Sequence, residues 1–106
     1  MAKYLIKASY TVEGTKGLLK EGGSSRKAAV AQMVQGMGGK LEVFYFAFGD
    51  PDVFAIVDVP DTVAAAAASL VINSKGGAQV STTPLITPEE IDAACKKSVA
   101  YRAPGA

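Results

Sequence analysis

Residues 40–60, KLEVFYFAFGDPDVFAIVDVP, read as two strands joined by a tight Gly-Asp-Pro-Asp turn, and both strands are apolar on both faces. In the first, Phe44, Phe46 and Phe48 fall on one side, and Leu41, Val43, Tyr45 and Ala47 on the other. In the second, Val53, Ala55, Val57 and Val59 are backed by Phe54 and Ile56. Side chains alternate with period two along a strand, so each face must find its own cover. A short chain covers one sheet face with its helices and leaves the other to water. Here the second face also requires cover, which predicts a partner subunit or a ligand cavity.

The rest of the chain supplies the remaining elements. Lys3 to Thr11 alternates as a strand, with Tyr4, Ile6, Ala8 and Tyr10 on one face and Lys3, Leu5, Lys7 and Ser9 on the other. The glycine-punctuated stretch that follows allows a short helical turn near residues 15–21. Ser24 or Ser25 is placed to cap a helix of about three turns ending at Gly38-Gly39, with Ala29, Val30, Met33, Val34 and Met37 as its buried stripe. Asp61 caps the next helix, whose alanine run lets it lie close to a sheet and which Gly76 and Gly77 stop. Gln79 to Ile86 form a fourth strand. Thr87, Pro88 and Glu90 then start a last helix that ends before Arg102.

This order is β-α-β-β-α-β plus a terminal helix. It predicts an α+β, ferredoxin-like antiparallel sheet with helices on one face, as a single domain over residues 1–101 with a flexible tail at 102–106. The uncovered sheet face predicts a homodimer in which two sheets face each other, since burying apolar area stabilises by roughly 25 cal/mol per Å² and two-fold dimers are the commonest solution.

Composition excludes several function classes. The 106 residues carry a net charge of +1 with no basic stripe, which argues against nucleic acid as a partner. No apolar run approaches the ~20 residues of a membrane helix. The single Cys95 cannot form an internal disulfide, and the N-terminus lacks a signal-peptide pattern, so a cytoplasmic protein is expected. The chain has no histidine, which argues against His-based triads, haem ligation and most metal sites. Neither a cofactor nor a metal is expected.

The segments KYLIKASYTVEGTKGLLKEGG, GGKLEVFYFAFGDPDVFAIVDVPD and TTPLITPEE resemble the GYD domain family of small bacterial proteins, over roughly residues 3–101. That family is similar to the dimeric α+β barrel proteins, so the resemblance implies a dimeric barrel. Gly49 and Asp52 match the Gly and Asp of its Gly-Tyr-Asp motif, whereas Pro51 stands where the tyrosine usually does. No role of that tyrosine carries over.

Asp58 is the misfit of the hairpin, a carboxylate in an apolar strand that must be paired or hydrogen-bonded to be tolerated there. An even-residue turn places it on the face of Tyr45, Val43, Phe54 and Ile56, with Lys7 or Ser9 of the first strand as the expected partner. An Asp58–Lys7 pair offers an acid/base or anion-binding group, against the plainer reading of a structural ion pair. Tyr45 is the best-placed of the four tyrosines to bind a ligand, because it lies on the uncovered face. The ligand-binding set read from the sequence is therefore Lys7, Tyr45 and Asp58, with the catalytic residues unknown. Asp50 and Asp52 could chelate a cation but read first as turn residues. EGGSSRK could hold an anion but is explained by helix capping, and Cys95 reads as a packed thiol.

Three readings follow. The first is a homodimer, or higher oligomer, that is structural or binds a small apolar or aromatic ligand. The second is a cofactor-independent oxygenase, isomerase or decarboxylase acting on a small organic acid or phenol, and it rests on fold-level analogy. A ligand-sensing regulatory module is a third. A pocket of about 300 Å³ or more lined by Asp58 and Tyr45, in the dimer interior or beneath the helices, would separate binding from a purely structural role.

Overall fold

The computed structural model describes residues 2–47 and 49–106. Phe48, assigned above to the face of Phe44 and Phe46, lies outside the described residues. The elements are β1 (Ala2–Tyr10), α1 (Val12–Glu21), α2 (Gly23–Gly36), β2 (Lys40–Phe46), β3 (Val53–Val59), α3 (Thr62–Ser74), β4 (Ala78–Pro84) and α4 (Pro88–Cys95). The four strands form one antiparallel sheet in the order β2-β3-β1-β4, the ferredoxin-like arrangement.

The ladders sort every strand residue onto a face. Toward the helices, one row runs Leu41, Val57, Tyr4; the next Phe44, Ala55, Ile6, Thr82; the third Phe46, Val53, Ala8, Val80. Tyr4, Val34, Val57, Val59 and Ala65 form the buried core against α2 and α3. On the open face the rows are Lys40, Asp58, Lys3, then Val43, Ile56, Leu5, Thr83, then Tyr45, Phe54, Lys7, Ser81. Six residues separate the paired ends Phe46 and Val53, so the even-turn phase holds. A register shift between Leu41 and Val43 departs from simple alternation. This bulge turns Leu41 inward, against the expectation that it shares a face with Val43, and leaves Lys40 outward.

Helix boundaries follow their caps. Thr11 caps α1 by accepting from the Gly14 amide at 3.1 Å, so this helix runs ten residues and not the single turn expected from its glycines. Gly14 is required there: a Cβ would collide with the Gly77 carbonyl oxygen, where the helix start meets the turn before β4. The second helix begins at Gly23, ahead of Ser24 and Ser25, and its cap residue Gly22 makes no side-chain hydrogen bond. Its buried side holds Val30, Met33, Val34 and Met37, whereas Ala29 is exposed. Asp61 caps α3 by accepting from the Ala64 amide at 2.8 Å. Asn73 then clips α3 to β4, accepting from the Val80 amide at 2.7 Å.

Thr87 and Glu90 close a reciprocal capping box at α4, with Pro88 in the first turn. This short helix makes no substantive contact with any other element, and all its residues are exposed, including Cys95. The packed-thiol expectation fails for that reason. The molecule is correspondingly long, with a radius of gyration of 16.9 Å and extents of 56 × 34 × 22 Å. A compact chain of about this length has a radius near 13 Å.

Candidate binding cleft beneath the helices

The helix face of the sheet is only partly filled. At one end Val34 and Val59 are sealed at 1% and 0% exposure. Toward the other end the small, buried side chains of Ala8 and Ala55 form the floor, and α1 contributes no buried residue above it. The result is a cleft of about 440 Å³, with Ile6, Ala8 and Ala55 below, Val30 and Met33 from α2 on one wall, and Ile72 from α3 on another. Its size lies in the range of ligand pockets, about 300–1,000 Å³.

A few polar groups punctuate this apolar lining. Ser69 Oγ and Thr82 Oγ1 bond each other at 2.6 Å, and Ser69 also donates to the Ala65 carbonyl at 3.0 Å, so both hydroxyls are already engaged. Arg26 faces Glu21 at 3.6 Å, an ion pair at the lining that is partly exposed to water. Lys75, which forms no ion pair among the described residues, and Tyr10 complete the polar lining. Burial pushes the Tyr10 hydroxyl above the usual range, with the carboxylates of Asp52 and Glu21 adding to the rise and the Arg26 guanidinium opposing it. The neutral phenol is thereby favoured, and among the described residues its hydroxyl has no hydrogen-bond partner. It can donate to, or accept from, a guest in the cleft.

The open face holds the residues singled out from the sequence, but not as one site. Asp58, Tyr45 and Lys7 all lie on it. Lys7 stands opposite Phe54, and Asp58 stands opposite Lys3. Four residues of strand, about 13 Å, separate Lys7 from the Asp58 level. The partner of Asp58 is therefore Lys3, whose Nζ donates to Oδ2 at 3.2 Å, and the expected Asp58–Lys7 pair does not form. The bulge adds Glu42 to the same ammonium at 2.5 Å. Asp58 Oδ1 is buried with no partner among the described residues. Tyr45 stands 70% exposed beside Phe54. None of these residues lines the cleft, because the period of two sends them to the opposite side of the sheet.

The turn carboxylates are also accounted for. Asp52 accepts from the Tyr10 amide at 2.8 Å and donates its own amide to the Ala8 carbonyl at 2.8 Å, tying the hairpin turn to β1. Among the described residues no cluster of three or more His, Cys, Asp or Glu side chains is placed to hold a metal ion, and no helix is long and apolar enough to cross a membrane.

Of the cleft residues, the sequence ranks Tyr10 behind Tyr45 among the four tyrosines and explains Arg26, in EGGSSRK, by helix capping, while Ala55 escapes it. The signal for the cleft itself is the pairing of small residues, Ala8 and Ala55, on otherwise bulky strand faces, which leaves volume for a guest. No curated protein and no solved structure matches the chain. The GYD domain matches it over residues 4–95, nearly all of β1 to α4, and the chain belongs to the GYD domain family.

Proposed function

We propose that the protein binds a small apolar or aromatic molecule in the cleft beneath its helices, and that it does so as a cytoplasmic homodimer whose open sheet faces are turned toward each other. The observation that carries the binding reading is the 440 Å³ cleft floored by Ala8 and Ala55. Apolar walls with the Tyr10 hydroxyl and the Lys75 side chain at the lining suit a ligand that is largely hydrocarbon with one acidic or hydrogen-bonding group, such as a phenol or an aromatic acid. Supporting the dimer are Tyr45 and Phe54, exposed at 70% and 38% beside the apolar row of Val43, Ile56 and Leu5. A free, exposed thiol at Cys95 suits a reducing compartment.

The test is fluorescence enhancement of anilinonaphthalene sulfonate, together with thermal shifts by a panel of phenols and aromatic acids. A ligand at a hundred times its dissociation constant stabilises by about 2.7 kcal/mol, which a melting curve resolves. Ala55→Leu fills the floor and is expected to abolish both signals while the fold is retained. Unchanged binding in that variant would place the ligand elsewhere.

A further inference from the structure

We infer that the cleft selects aromatic monocarboxylates, and that the incoming carboxylate takes the Arg26 guanidinium from Glu21 while the Tyr10 hydroxyl donates to the same group. Glu21 is then an internal competitor that sets the affinity. The inference rests on the binding reading above, and it names the anion the cleft takes and the side chain that anion displaces.

The first observation is the way α1 faces the cleft. Gly14, Gly17, Leu18 and Glu21 line it, and their spacing puts them on one stripe of the helix. Two of these residues have no side chain, so the stripe presents one leucine and one carboxylate. Glu21 is the last residue of α1, and Gly22 follows with φ 85°, a conformation that favours glycine, before α2 begins at Gly23. Arg26 lies in the first turn of α2, its amide donating to the Gly22 carbonyl at 3.2 Å. The corner thus brings Glu21 and Arg26 together at the lining, 3.6 Å apart.

The second observation is that this pair is loosely made. A guanidinium has five N–H donors in a planar fork, and among the described residues Arg26 makes no side-chain hydrogen bond with any of them. Both partners are 41% exposed, and ion pairs that wet contribute little. A carboxylate entering from the cleft can offer two oxygens to the fork, a contact that Glu21 does not make at this separation. A phenol offers one oxygen and no charge, so the fork discriminates between the two.

The balance of charge is the third. Arg26, Lys75 and Glu21 are the charged side chains of the lining, two cations against one carboxylate, so an anion is favoured as guest. Arg26 and Glu21 act in opposite directions on the Tyr10 phenol, which places all three in one electrostatic neighbourhood. Burial keeps that phenol neutral, and a neutral phenol donates to a carboxylate.

The probes are 2-naphthoate and 2-naphthalenemethanol, an acid and an alcohol of nearly equal size, titrated by calorimetry at neutral pH. The wild-type chain should bind the acid about tenfold more tightly than the alcohol. Glu21→Gln should tighten the acid by about two- to fivefold and leave the alcohol unmoved. Arg26→Gln should bring the acid down to the level of the alcohol. Equal affinity of the two probes for the wild type overturns the inference and leaves the cleft reading standing. So does a Glu21→Gln variant in which the acid is unmoved, or in which both probes shift together, as a purely structural pair would have it. A preference that survives Arg26→Gln but is lost in Lys75→Gln puts the carboxylate on the other cation, and the inference fails. Binding of neither probe to the wild type, or binding undiminished in Ala55→Leu, overturns the cleft reading as well.

Discussion

Lys3 lies directly across the β1–β3 ladder from Asp58 and bonds its Oδ2 at 3.2 Å, while the same ammonium holds Glu42 at 2.5 Å. One cation thus serves two carboxylates on three neighbouring strands, and it is the only partner of Asp58 among the described side chains. Lys3→Met should therefore destabilise the fold, because it strands a half-buried carboxylate whose second oxygen already lacks a partner. Adding Asp58→Leu to that variant should recover most of the loss, since an apolar pair replaces an ion pair at little cost. Urea unfolding of the two variants measures both outcomes.

The same cluster predicts an alkaline response. The Glu42 carboxylate first, and Asp58 second, hold the Lys3 ammonium above its usual 10.5. A raised pKa in the folded state gives a contribution that is complete below the unfolded value and lost as pH rises through the folded one. Tyr10 acts in the same direction, because burial favours its neutral phenol. Stability should fall as pH rises beyond about 10, and Lys3→Met should flatten that fall. Urea midpoints across this range decide the point.

At the opposite extreme, the Thr87 backbone and side chain hold the Glu90 carboxyl below the usual carboxylate range. A lowered pKa gives a contribution present above the unfolded value and lost as pH falls through the folded one. The first turn of α4 should fray on acidification before the sheet does, seen as faster amide exchange at Glu90 and Ile91. Glu90→Gln should remove that pH dependence.

Asp52 is expected to be structural. Asp52→Ala leaves the Tyr10 amide unpaired and should cost about 1–3 kcal/mol, whereas Asp52→Asn keeps an acceptor and should cost much less. Amide exchange at Tyr10 reports the difference at the bond itself.

Two glycines of α1 should respond with opposite signs. Gly14→Ala drives a methyl into the Gly77 carbonyl and should destabilise by about 1–3 kcal/mol, shifting α1 and weakening probe binding in the cleft. Gly17 has open space around it, so Gly17→Ala should stabilise by up to about 1 kcal/mol. Thermal unfolding of the pair distinguishes packing from propensity.

Much of this architecture was legible in the residues themselves. Alternation in β1 and β3 sorted Tyr4, Ile6 and Ala8 from Lys3, Leu5 and Lys7, and the caps at Asp61 and Thr87 announced their helices. The first helix was underread because Gly14 and Gly17 lower helix propensity, whereas Gly14 is present for its close approach to Gly77. Leu41 was misplaced because a bulge is invisible to a period-two count.

Period and capping are local properties, so the sequence by itself determined the element order, the two faces of the sheet and the surplus of apolar surface on the hairpin. Register and standoff are not local. Whether Asp58 meets Lys3 or Lys7 depends on how two strands some fifty residues apart slide past each other, and only the ladder decided that. Whether Ala8 and Ala55 floor a cleft depends on where Val30 and Met33 of α2 and Ile72 of α3 come to lie above them, and only the packing of these remote segments decided that. The tertiary structure thus moved the candidate site from the open face to the helix face, because distance between remote residues is set by packing and not by their spacing along the chain.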